Sequence, residues 1–266
     1  MTIPIEPRTP RLYHGGEGSS GTFTGTFTAL GAFGVVCAAT ATMLVVAVIA
    51  TSAGAPVMVT AVLAQLVMLG VPLIAMRGSG RTLAALGLTR PASARYLGAA
   101  ALIGASAWYL NMWLVSVLPL RAEDAQLLEL IDRPSLPVVL LAVALAPAIC
   151  EEVLFRGVLV RGLATRFVIP VAVLLAAAVF SLYHVRIVQL LPTFTLGIVL
   201  GWLALRARSA IPGMLAHLLN NTLALLVARG ELPGVAGVLG AHPGLGLATF
   251  AILFCLGVAL AARGVR

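Results

Sequence analysis

Hydrophobic residues run along this chain in long blocks, without the strict alternation of a half-buried strand or the single apolar stripe of a surface helix. Blocks of about 20 residues with few charges match the length of a bilayer-crossing helix. They fall at 27–52, 56–76, 97–119, 136–160, 170–188, 190–205, 211–228 and 243–262. Lipid leaves no partner for unpaired backbone groups, so such blocks fold as helices. The pattern predicts an all-α, polytopic integral membrane protein with about eight transmembrane helices.

Residues 1–26 are polar, hold several Gly and Ser, and lack an apolar signal-peptide core. They read as a polar N-terminal tail, and the first apolar block directs insertion. Residues 27–266 read as a single transmembrane domain without internal repeats of 20 to 50 residues. Gly197 and Gly201, four apart, suit close helix packing. In the 77–95 connection, Leu83, Leu86 and Leu88 stand between arginines. That segment reads either as lying flat at the cytoplasmic interface or as an ordinary basic loop.

Composition agrees with a lipid solvent: 61% of the residues are hydrophobic and 10% charged, against about 25% charged in soluble domains. The formal charge of +8 would point to nucleic acid in a soluble protein. Here the basic residues flank apolar blocks, where they orient helices, so nucleic acid is not an expected partner. On alternate sides of the predicted spans twelve arginines face four. The richer side holds Arg8, Arg11, Arg77, Arg81, Arg90, Arg95, Arg161, Arg166, Arg206, Arg208, Arg263 and Arg266; the poorer holds Arg121, Arg133, Arg186 and Arg229. Glu123, Asp124, Glu129, Asp132 and Glu231 share the poorer side. The positive-inside bias puts both termini in the cytoplasm, as an even helix count requires. All basic residues are Arg, which together with the Ala, Leu, Gly and Val excess favours a GC-rich bacterial genome and a bacterial inner membrane. Cys37, Cys150 and Cys255 lie far apart in or beside apolar blocks, without metal-type spacing, and read as core residues.

The chemistry sits inside the apolar blocks. The fourth reads LAPAICEEVLFRGVLVRG, which places Glu151, Glu152 and Arg156 within six residues in mid-helix. Each such charge costs roughly 2.5 to 3.5 kcal/mol at the bilayer centre, so each needs a partner. Glu152 and Arg156, at i and i+4 with the carboxylate first, pair on one face. Glu151 points about 100° away and is left without a local counter-ion, a candidate general base or metal ligand. The fifth block holds FSLYH, with Phe180 and His184 on one face; the seventh holds HLLNN, with His217 and Asn221 on one face. A lone membrane histidine is more often structural, and a His–Asn pair is ordinary interhelical glue. Convergence of helices four, five and seven changes this, because together they supply a base, an orienter and hydrogen-bond donors, the parts of an amide hydrolase. Counting 1.5 Å per residue puts Glu151 roughly 15 Å from Arg161, and His217 roughly 14 Å from Arg208. His184 comes out at roughly 27 Å from Arg166, or about 21 Å if helix five begins at Pro170.

With those residues assembled, positions 147–221 resemble the CPBP family, which includes type II CAAX prenyl endopeptidases and bacterial Abi-type proteins. EEVLFR fits the family's EExxxR, FSLYH its FxxxH, FTLGIVLG at 194–201 its Phe-and-Gly helix, and HLLNN its HxxxN. The four motifs occur in the family's order within apolar helices. The resemblance implies an intramembrane endopeptidase with its core at about 135–230. It implies that Glu151 and His184 activate water, that His217 and Asn221 stabilise the oxyanion, and that Glu152, Arg156 and Phe180 support the site. Family members have been described both as metalloproteases and as glutamic-type proteases. Zinc on Glu151, His184 and His217 would be the metal form; the absence of closely spaced pairing such as HExxH favours no cofactor. The implied partner is a membrane-associated protein or peptide, with a C-terminal anchor or sorting signal among the candidates. Two rival functions remain: a proton-coupled transporter, since buried Glu and His also build proton relays, and a non-catalytic bacteriocin-immunity or binding protein.

Overall fold

The structure, a computed structural model, describes residues 27–77, 83–117, 131–132 and 134–263. Nearly all of these residues are helical, and no strand occurs among them. In chain order the helices are α1 Ala29–Ser52, α2 Val57–Arg77, α3 Arg95–Ser116, α4 Leu136–Leu163, α5 Ile169–Tyr183, α6 Ile187–Ala207, α7 Ile211–Ala228, α8 Pro233–Ala241 and α9 Pro243–Ala262. Among the described residues seven helices are long and apolar enough to cross a membrane; α5, with 15 residues, is shorter. The all-helical, polytopic reading therefore holds. The polar tail 1–26, with Arg8 and Arg11, lies outside the described residues, as do Arg81, Arg121, Glu123, Asp124, Glu129, Arg133 and Arg266.

Burial identifies α4 as the centre of the bundle: 61% of its membrane window is buried, against 17% for α1, α2 and α9. Leu154, Phe155, Leu159 and Val160 of α4 pack against α1, α2 and α5. A second core joins α3, α6, α7 and α9 through Tyr96, Ile103, Leu200, Leu203 and Ala216. Gly104 lets α3 approach α7 closely, since a Cβ there would stand 2.4 Å from the Ala216 carbonyl oxygen. Gly197 does the same between α6 and α5, facing Ala177 and Phe180, as its spacing suggests; Gly201 makes only ordinary contacts.

Two expectations need correction. Helix five ends at Tyr183 and helix six begins at Ile187, where one block was expected to run to 188. The chain reverses through His184, Val185 and Arg186, with Val185 at φ 60°, and the Ser181 hydroxyl ties the turn by donating to the Leu190 carbonyl at 2.6 Å. Of the cysteines only Cys150 is buried; Cys37 and Cys255 point outward, because lipid accepts an apolar outer face. Part of the 77–95 connection lies among the described residues. Its residues Leu83–Leu86 form a 3-10 turn that drives fully buried Leu86 against Val153 and Val158, and its 92 position bonds to the end of α6.

α4 is not a uniform α-helix. Leu140–Leu145 and Glu152–Leu159 are π-helical, with the amides of Ala146 and Val160 reaching carbonyls five residues back. Pro147 accounts for the first stretch: proline has no N–H to offer the carbonyl four residues earlier and crowds it. That carbonyl belongs to Val143. Wide turns of this type concentrate at functional sites.

Candidate active site

The site is built around the second carboxylate of α4. Glu152 is fully buried, and its Oε1 lies 3.0 Å from Arg156 Nη1 and 3.0 Å from His217 Nδ1 on α7. The pairing with Arg156 read from the i, i+4 spacing is thus present, as a close charge contact; His217 is an added partner. Because an ionised carboxylate only accepts, Nδ1 of His217 donates and Nε2 is left for other chemistry. The Arg156 guanidinium also lies over the Phe180 ring, 4.2 Å from its centroid. That ring meets His217 edge-on at 6.2 Å and His184 at 4.8 Å. Phe180 therefore sits between both histidines and the arginine.

His184 caps α5, and its Nδ1 lies 2.8 Å from the Phe180 carbonyl. A carbonyl only accepts, so Nδ1 carries the hydrogen and Nε2 of the neutral ring holds a free lone pair. The depth mismatch counted from Arg166 is eased by the short helix: α5 starts at Ile169, with Pro170 in its first turn, and runs about 22 Å.

Glu151, 4% exposed, faces a different neighbour: Gln65 of α2 donates Nε2–H to its Oε1 at 2.8 Å. Glu151 Oε2 and Gln65 Oε1 are buried without a protein partner, so Glu151 and His184 are not bonded to each other. Asn221 donates from Nδ2 to the Val143 carbonyl at 3.0 Å, the acceptor that Pro147 leaves unused, and its Oδ1 accepts from Asn220 at 3.0 Å. One Nδ2 hydrogen of Asn221 remains for a ligand. The structure thus joins Glu152, Arg156, Phe180 and His217 directly and sets His184 on Phe180. Glu151 faces α2 through Gln65, and Asn221 joins α7 to α4 through Val143.

Gln65 and Gly213 were not singled out from the sequence. Gln65 had a legible signal, a lone carboxamide in the middle of an apolar block. Gly213 had none, because its role is space: a Cβ would stand 2.6 Å from Glu152 Oε2. That oxygen therefore rests against the first turn of α7, the positive end of the helix. Gly213→Ala is expected to displace a carboxylate held by Arg156 and His217, lowering stability by about 1–3 kcal/mol. Thermal unfolding in detergent, compared with Gly234→Ala where space is open, measures it.

The three residues considered for zinc do not converge. Among the described residues no group of three His, Cys, Asp or Glu side chains could hold a metal ion. His217 Nδ1 is engaged by Glu152, and Glu151 is engaged by Gln65.

Comparison with known proteins bears on the same stretch. No curated protein and no solved structure matches the chain. Residues 133–223 match the family described as Rce1-like, type II CAAX prenyl endopeptidase Rce1-like. The matched segment begins just before α4 and ends just past Asn221, so it takes in every polar group described above except Gln65. The stretch of this integral membrane protein from α4 into α7 is thus similar to the CAAX-type endopeptidases of the CPBP family of intramembrane proteases.

Proposed function

We propose that the protein is an endopeptidase that hydrolyses a peptide bond of a membrane-associated protein or peptide, with Glu151 and His184 activating water and His217 and Asn221 stabilising the oxyanion. One observation carries the reading: a fully buried carboxylate, Glu152, in close charge contact with Arg156 and bonded to His217 in the middle of a 28-residue apolar helix. Charges this costly in lipid persist where they perform chemistry. The match to a protease family over the same residues supplies the reaction class.

In this mechanism the water oxygen bonds to the scissile carbonyl carbon while Glu151 Oε2 takes one of its protons. His184 orients the water by accepting its second hydrogen at Nε2. The carbonyl oxygen becomes an oxyanion and accepts from Nε2–H of protonated His217, whose charge Glu152 balances, and from the remaining Nδ2–H of Asn221. The C–N bond then breaks, and the proton held by Glu151 passes to the leaving amine. The products are a carboxylate and an amine. Oxyanion donors of this kind contribute about 10²–10³ each in rate.

A C-terminal membrane anchor or sorting signal is the substrate class we favour, in a bacterial inner membrane with both termini cytoplasmic. The orientation rests on the arginine bias. Contacts support it: Arg206 donates to the Ala262 carbonyl at 2.7 Å, Ala92 bonds to Ala207, and Arg161 lies beside Gly87, so arginine-rich connections gather at one end. No metal is assigned a role.

The test uses the full chain in liposomes with a fluorogenic farnesylated CAAX-type peptide and its unprenylated counterpart, in ¹⁸O-labelled water. The expected result is cleavage with one ¹⁸O in the new carboxyl group, undiminished by a zinc chelator. Activity restored only by added zinc contradicts the metal-free assignment. Intact peptides together with proton flux across the liposome favour the transporter; intact peptides without flux favour the binding protein.

A further inference from the structure

The matched family segment ends at one side of the site, and α2 supplies a group from outside it. Gln65 lies in an apolar helix, and its carboxamide is spent on Glu151 of α4, the Nε2···Oε1 separation being 2.8 Å. The orientation of the amide is fixed by chemistry, since an ionised carboxylate only accepts and so must face the NH₂. Two acceptors remain at this pair, Glu151 Oε2 and Gln65 Oε1, both buried and both without a protein partner. Buried acceptors left in this way need a donor. A molecule with two hydrogens to give and a lone pair to spare answers both; water is such a molecule.

We infer that Gln65 is a positioning residue for the attacking water. Its N–H holds the Glu151 carboxylate in one rotamer, so that Oε2 faces the water. Its Oε1 shares with Nε2 of His184 the hydrogen that is not transferred, which leaves the water's lone pair to attack. The proton that moves goes to Glu151 Oε2; Gln65 exchanges no proton and forms no bond with substrate. This rests on the reading of Glu151 as the base. The competing role is interhelical glue between α2 and α4, where a polar contact in a membrane is worth about as much as any other. Glue would govern folding and leave turnover untouched.

The experiment compares the parent chain, Gln65→Met, Gln65→Leu and Glu151→Gln, each full length in liposomes. The farnesylated fluorogenic peptide reads kcat and KM, thermal unfolding reads folding, and infrared spectra read the Glu151 carboxylate stretch, assigned from the Glu151→Gln difference. Both apolar Gln65 variants are expected to keep KM and the thermal midpoint. Their kcat should fall about 10- to 100-fold, the loss of a charge-assisted hydrogen bond, and the Glu151 band should move. Unchanged kcat in folded Gln65→Met overturns the inference, as does a loss that appears only with a lowered thermal midpoint in both variants. An unmoved Glu151 band overturns it even where the peptide is not cleaved. An active Glu151→Gln would instead remove the underlying assignment of the base, a separate failure from that of Gln65.

Discussion

Glu152→Ala is expected to be the most destabilising single substitution in the site. The side chain removed is the shared partner of Arg156, 2% exposed, and His217, 3% exposed. Neither side chain can reach water in place of it. Taking one partner from a buried ion pair costs about 3–5 kcal/mol, because the charge left behind stays desolvated. For a chain of this size each kcal/mol lowers the midpoint by about 2–4 °C, so a loss of roughly 10 °C or more is expected in detergent. The Phe180 ring, 4.2 Å from the guanidinium, offsets only part of it, since a cation–π contact is worth about 2 kcal/mol when desolvated. Glu152→Gln keeps the shape and an acceptor for His217 Nδ1, and should fall between the parent and the alanine variant. Replacing the pair together, Glu152→Leu with Arg156→Met, should recover part of the stability, because two apolar side chains carry no desolvation cost. The recovery is incomplete, for His217 still lacks its acceptor. A Glu152→Ala protein that melts with the parent would mean that the triad contributes no stability.

Much of the fold and part of the site could be read from the sequence for one physical reason: lipid penalises each unpaired polar group. That penalty made the apolar blocks conspicuous and made Glu151, Glu152, Arg156, His184 and His217 stand out within them. The i, i+4 rule then paired Glu152 with Arg156, and the structure has that contact. What was not legible depends on contacts between helices far apart in sequence. His217 finds Glu152 across 65 residues, and Gln65 finds Glu151 across 86. Helical periodicity describes one helix at a time, so it carries no information about which faces meet. It also assumes a uniform 100° step. α4 departs from that step at Leu140–Leu145 and Glu152–Leu159, where the hydrogen bonds reach five residues back. Pro147 was visible in the sequence, yet its consequence was not: the Val143 carbonyl it frees is taken by Asn221. Asn221 thus braces α4. The end of helix five was misplaced because apolar residues continue through the turn at Val185, whose positive φ no hydropathy pattern records.

Glu151→Gln carries the largest expected effect on activity. Glutamine preserves volume and can still bond to Gln65, so α2 and α4 should stay packed and the thermal midpoint should stay near that of the parent. What is lost is the ability to take a proton from water. Positioned general bases contribute about 10²–10⁴ in rate. The central claim is therefore tested most directly by the single-turnover cleavage rate of the farnesylated fluorogenic peptide in liposomes, for the parent and for Glu151→Gln at matched folding. The rate of the variant is expected to be lower by at least about 100-fold. Equal cleavage by the two folded proteins would contradict it, and with it the assignment of Glu151 as the group that activates water.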